Sequence, residues 1–166
     1  MAIPTWSVGQ VLAAADVNSW FVPLVAYKVN TTTRTSTTTL ADDPDLVIPL
    51  AAASFYKITA MLSYQAAATG VYMKWTFTLP AGSDTGIYGV NYVVTGGTFS
   101  TEIRFWADTP AGGTPLANVG YPAIIEGMVH TGGASGNLTF QWAQQNSSSS
   151  GTSLNAKSHI IAQKVG

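Results

Sequence analysis

Between Val71 and Leu79 the chain alternates without a break: Val71, Met73, Trp75, Phe77 and Leu79 fall on one side, and Tyr72, Lys74, Thr76 and Thr78 on the other. Side chains of an extended strand point alternately to its two faces, so this period of two predicts a half-buried strand, stopped by Pro80, Ala81 and Gly82. The pattern recurs in Tyr56, Ile58, Ala60 and Leu62, in Tyr88, Val90, Tyr92 and Val94, in Phe99, Thr101, Ile103 and Phe105, and in Leu138, Phe140 and Trp142. It is less clean in Ile124, Glu126 and Met128 and in His159, Ile161, Gln163 and Val165. With residues 27–33 and 46–50 added, about eight or nine short strands are expected. The connectors are rich in glycine, proline, serine and asparagine, and none is long or periodic enough for a crossover helix. The expected fold class is therefore all-β, an antiparallel β-sandwich of jelly-roll type.

The first 26 residues follow a different rule. From Ala13 to Phe21, Val17, Trp20 and Phe21 recur at helical spacing, and Pro23 blocks continuation. This predicts a short helix in an N-terminal arm, residues 1–26, ahead of a β domain, residues 27–166. A helix of two turns is marginal alone, so its apolar side chains need a surface to dock on. Trp6, Val17, Trp20 and Phe21 are the candidate anchor residues, on the chain's own domain, a neighbouring copy or a larger particle.

Charge limits what such a domain does. Of the 166 residues only 9% are charged, against about 25% in an ordinary soluble domain, and 46% are apolar. A formal net charge of −1 gives little electrostatic protection against association. Much of the surface is accordingly expected to be covered by copies of the chain or by a partner. Nucleic acid is an unsuitable partner, because the seven cations (Lys28, Arg34, Lys57, Lys74, Arg104, Lys157 and Lys164) are scattered rather than clustered. No apolar stretch approaches the ~18 residues that suggest a membrane span, and the opening has neither a basic leader nor an unbroken apolar core, so neither membrane insertion nor signal-driven secretion is expected.

The inventory for chemistry is thin. With no cysteine, thiolate nucleophiles, disulfides and thiolate zinc sites are excluded. Asp42, Asp43 and Asp45 form the nearest approach to an oxygen cluster for a hard cation, but the spacing matches no calcium loop, and a polar turn before a strand starting near Leu46 is the simpler reading. Glu102 and Glu126 are two strand carboxylates of the kind a glycosidase pairs. Arg104, two residues beyond Glu102 and so on the same face, makes an ion pair the simpler account. His130 and His159 have no triad-like companions, and the glycine pairs lack the lysine of a phosphate loop. No catalytic residue, cofactor or metal is assigned. Trp75 and Trp142 lie on apolar strand faces and belong to the core. Trp106 and Tyr121, beside loops, are the candidates for stacking on glycan.

Three stretches carry a family resemblance. Residues 5–18 (TWSVGQVLAAADVN) are similar to a phrase at the start of minor tail, fibre and head-decoration proteins of tailed phages. Residues 33–46 (TRTSTTTLADDPDL) resemble the first strand and turn of the β domain that follows it. Residues 138–146 (LTFQWAQQN) and 158–165 resemble that domain's end. The chain thus resembles small jelly-roll virion proteins of tailed phages that infect actinobacteria. The resemblance implies a non-enzymatic, homotrimeric subunit on the outside of a head or tail, held by its N-terminal segment to the major capsid protein or another virion protein. The absence of a long shaft or tip domain tilts the expectation toward a capsid decoration or short head-fibre protein. The alternative is a minor tail or receptor-binding module that recognises host cell-surface glycan.

Overall fold

The computed structural model describes residues 7–11, 13–84, 86–94 and 96–166, without the side chains of residues 16, 19 and 20. In chain order the elements are α1 (Ala14–Phe21), β1 (Leu24–Tyr27), β2 (Thr32–Arg34), β3 (Ala41–Leu50), β4 (Phe55–Ala66), β5 (Met73–Thr78), β6 (Ile87–Val93), β7 (Phe99–Phe105), β8 (Ala111–Gly112), β9 (Tyr121–His130), β10 (Gly136–Gln144), β11 (Thr152–Leu154) and β12 (His159–Lys164). The strands form two sheets in which every pairing is antiparallel. One has eight strands in the order β1-β12-β4-β9-β6-β7, with β11 joining β2 to the far end of β4, and the other has the order β3-β10-β5-β8. The architecture is all-β and consistent with a sandwich.

The two inner faces make one core. Tyr56, Ile58, Ala60 and Leu62 of β4 meet Met73, Trp75 and Phe77 of β5, and Leu138, Phe140 and Trp142 of β10 close the layer from the opposite sheet. Aromatic rings interlock edge to face, as Trp75 on Tyr92 at 5.4 Å and Phe77 on Phe140 at 5.3 Å between centroids, the arrangement that ring quadrupoles favour. The alternation read in residues 56–62 and 71–79 therefore does mark the core side.

The chain has more strands than the periodicity suggests, because β8 and β11 are two or three residues long and leave too short a pattern to read, and because the strand expected over residues 27–33 is two, β1 ending at Tyr27 and β2 starting at Thr32. β3 also starts at Ala41 rather than near Leu46, so Asp42, Asp43 and Asp45 belong to a strand and not to a turn before it. Its first residues pair with β10, Asp42 opposite Gln141 and Ala41 opposite Trp142, beyond a bulge between Thr139 and Gln141. β1 begins at Leu24 and pairs with β12, which places residues 24–26 in the large sheet.

Candidate assembly surface

The eight-stranded sheet has a second face, turned away from the core. On β4 it presents Phe55, Lys57, Thr59 and Met61, on β9 Ile124, Glu126 and Met128, on β6 Ile87, Gly89 and Asn91, and on the edge strand β7 Phe99, Thr101, Ile103 and Phe105. Its large apolar side chains face solvent: Phe99 is 62% exposed, Ile103 73% and Phe105 57%. At the opposite edge Val25 and Tyr27 of β1 are exposed as well. Antiparallel sheets with one wet face normally read apolar-in and polar-out. On β7 the order is reversed, for it puts Ser100, Glu102 and Arg104 on the core side and its apolar residues outside.

That reversal follows from where the edge sits. The side chains on the inner face of β7 are only partly covered, so they serve as a polar rim. Glu102 accepts hydrogen bonds from Tyr92 Oη at 3.0 Å, Ser100 Oγ at 3.0 Å and Arg104 Nε at 2.6 Å, and Arg104 Nη2 completes an ion pair. Partial burial pushes the Glu102 carboxyl up, but the donors from Arg104, Ser100 and Tyr92 and the charge of Arg104 outweigh it and hold the group below its ordinary value. The outer face has one charged pair, Lys57 Nζ to Glu126 Oε1 at 2.6 Å, joined diagonally across β4 and β9. Its net contribution to surface charge is zero.

The register separates the two glutamates. Glu102 lies opposite Val90 on the core side and Glu126 opposite Gly89 on the outer side, so the carboxylates project from opposite faces of one sheet and do not flank a common substrate. His130 stacks on Phe55 with ring centroids 4.1 Å apart, at one end of the outer face, and the His159 ring lies on the same face opposite Met61. The Phe55, Ile87, Met128 and His130 side chains, with Asp84 beside them, line an open, largely apolar depression there.

The aspartate cluster is satisfied from within the chain. Lys28, just after β1, is fully buried, and its Nζ donates to both oxygens of the buried Asp43 at 3.0 and 2.8 Å and to Asp45 Oδ2 at 3.3 Å. Trp142 Nε1 donates to Asp43 Oδ2 at 3.1 Å and the Asp45 amide to Asp43 Oδ1 at 3.1 Å. An ammonium thus occupies the place a hard cation would take, and among the described residues no set of three acidic or histidine side chains converges on a metal position. Arg34 stacks over the Trp142 ring at 4.2 Å and donates to the carbonyls of Trp142, Ala41 and Asp42, extending the network to β2.

Trp106 corrects the sequence reading. It is 1% exposed, packs against Tyr88 at 4.8 Å and Phe77 at 5.2 Å, and donates its indole N–H to the Met128 carbonyl at 3.0 Å. A ring so enclosed presents no face to a sugar. Tyr121 is half-buried against Tyr64, and its hydroxyl accepts from the Leu116 amide, which leaves it as a loop-bracing residue on the rim. Of the expected anchors, Trp6 and the Trp20 side chain lie outside the described residues, Val17 is half-buried, and Phe21 is exposed beside exposed Val22. The exposed outer face is what sequence reasoning placed least well: alternation sorted its residues onto one side but not onto the solvent side.

No protein-family model matches the chain, and no curated protein does. Among solved structures, 99% of it aligns with a chain of the infectious bursal disease virus Gx strain at 13% identity and a TM-score of 0.23, covering 41% of that chain. It also aligns with the VP2 subviral particle of infectious bursal disease virus at 9% identity and a TM-score of 0.25, covering 46%. The chain spans less than half the length of these neighbours, and superpositions at such scores establish neither a shared fold nor a shared role.

Proposed function

We propose that this chain is a non-enzymatic structural subunit that works by assembling with copies of itself through the outer face of its eight-stranded sheet. The observation that carries the reading is the row of large apolar side chains left in water on that face, from Phe55 and Met61 across Ile124, Met128 and Ile87 to Phe99, Ile103 and Phe105. A contiguous apolar patch beyond a few hundred Å² is uncommon on a monomer and marks an interaction site. The scarcity of charge in the whole chain points the same way.

On the resemblance of its opening and flanking stretches, the assembly is a homotrimer on the outer surface of a tailed-phage particle, a capsid decoration or short head-fibre protein. Residues 1–23 with α1 form the attachment to the major capsid protein or another virion protein, and Trp6, Val17, Trp20 and Phe21 supply the anchors. Aromatic anchors dominate interfaces of this kind.

Sedimentation of the full chain is expected to give an assembled species. Ile103→Asp is expected to weaken association by about 2 kcal/mol or more, roughly thirty-fold, because a carboxylate placed on an apolar interface loses its hydration. A chain that is monomeric at every concentration, or an Ile103→Asp variant that assembles as well as the parent, overturns the reading. Trp20→Ala is expected to leave the assembled mass unchanged while reducing rebinding to particles that lack the protein; undiminished rebinding removes Trp20 from the attachment.

A further inference from the structure

Most strand glycines in this chain are explained within the subunit. A Cβ on Gly127 would lie 2.6 Å from Tyr88 Cβ and 2.9 Å from Trp106, and one on Gly112 would fall 2.3 Å from the Tyr64 hydroxyl. Gly89 has no such reason. It lies in the middle of β6, its backbone is not in the left-handed region, and a Cβ there would meet only the Glu126 carbonyl oxygen at 3.8 Å, an ordinary contact. A glycine inside a strand weakens it, since it orders a freer backbone and packs nothing, and besides bulges and bends such glycines often mark the place where a ligand or another backbone comes close.

Its neighbours say what approaches. On the outer face Gly89 lies between Ile87 and Asn91 along β6, with Ile103 across β7 and Glu126 across β9. The missing side chain leaves a notch in the outer face, with Ile87 and Ile103 on two sides and Asn91 and Glu126 on the others. We propose that a second copy of this chain inserts a side chain into the Gly89 notch, so that this point fixes how two subunits seat on one another. The inference rests on the assembly reading above and adds the seat to it.

Charge and area both suit a second copy. Lys57 and Glu126 neutralise each other near the middle of the same face, so that pair sets up no like-charge repulsion between two copies, and among the described residues no cluster of cations lies there to recruit a polyanion. Phe55, Met61, Ile87, Phe99, Ile103, Phe105, Ile124 and Met128 are all exposed on this one face of β4, β6, β7 and β9, the kind of apolar surface that a standard interface of about 800 Å² per partner buries.

The test is Gly89→Val, with Gly89→Ala as the smaller step, in the full chain. Gly89→Val is expected to weaken association at least ten-fold by sedimentation and Gly89→Ala to weaken it less. In the Ile103→Asp background, at a concentration where that variant is monomeric, Gly89→Val is expected to leave the unfolding temperature unchanged or raised, since valine suits a strand better than glycine. Undiminished association of Gly89→Val while Ile103→Asp dissociates overturns the notch and leaves the assembly face standing. A fall in unfolding temperature in the dissociated background overturns it too, by showing that the subunit itself needs the glycine. If the parent chain never assembles, the reading and the inference fall together.

Discussion

Asp43→Ala is expected to lower the unfolding free energy by about 3–5 kcal/mol, the cost of stranding a buried charge. In the native chain Lys28 Nζ places two of its three hydrogen bonds on Asp43, and Trp142 Nε1 places its only one there. Removal of the carboxylate leaves a fully buried ammonium with Asp45 alone and an indole N–H with nothing. The pair also ties the two sheets together: Lys28 donates its backbone N–H to Ser158, ahead of β12 in the large sheet, while Asp43 sits in β3 of the small one. Replacing both partners with apolar residues, as in Lys28→Met with Asp43→Leu, is expected to cost far less, because no fully buried charge is then left unpaired and Asp45, the other partner of Lys28, reaches solvent. Chemical denaturation of the three proteins at one fixed concentration decides it, and equal losses in the single and double variants contradict a buried pair. Calcium is expected to leave the unfolding midpoint of the parent chain unmoved; a rise with calcium returns the cluster to cation binding.

The same cluster shows where sequence reading stops. Asp-Asp-Pro-Asp has the local chemistry of a turn, and that chemistry is all a one-dimensional pattern contains. The partner that makes it a strand and a core element is a lysine 15 residues away, brought in by β1 pairing with β12 and by nothing adjacent. Trp75 and Trp142 are different: their positions follow from alternation alone, because strong central strands bury whichever face is consistently apolar. β7 has the same alternation and the opposite outcome. Periodicity says that Phe99, Ile103 and Phe105 share a face, but which face meets the core depends on how far the second sheet reaches, and here it leaves the inner side of β7 as a polar rim. The candidate assembly surface was thus legible as a set of residues and illegible as a surface. Charge scarcity was the one feature of the sequence that pointed to apolar side chains in solvent, since a chain with few charged residues has few with which to cover a wet sheet face.

Trp106→Ala is expected to cost about 3–5 kcal/mol of stability and to lower the unfolding temperature by roughly 10 °C, the range for emptying a large aromatic site in a packed core. The variant loses the ring contacts to Phe77 and Tyr88 and leaves the Met128 carbonyl without its indole donor. The loop position of Trp106 disguises this role, because the residues after it, Ala-Asp-Thr-Pro-Ala-Gly-Gly, read as surface. A signal for burial was present elsewhere: Gly127, a glycine within the apolar run of β9, is the gap into which the Trp106 ring fits. Any binding to glycan that the parent chain shows is therefore expected to fall in Trp106→Ala only in proportion to the unfolded fraction, by parallel measurement of binding and near-UV circular dichroism across temperature. A variant as stable as the parent that has lost binding alone would place the ring in contact with ligand, which requires the β6–β7 edge to open far enough to release it from beneath Met128.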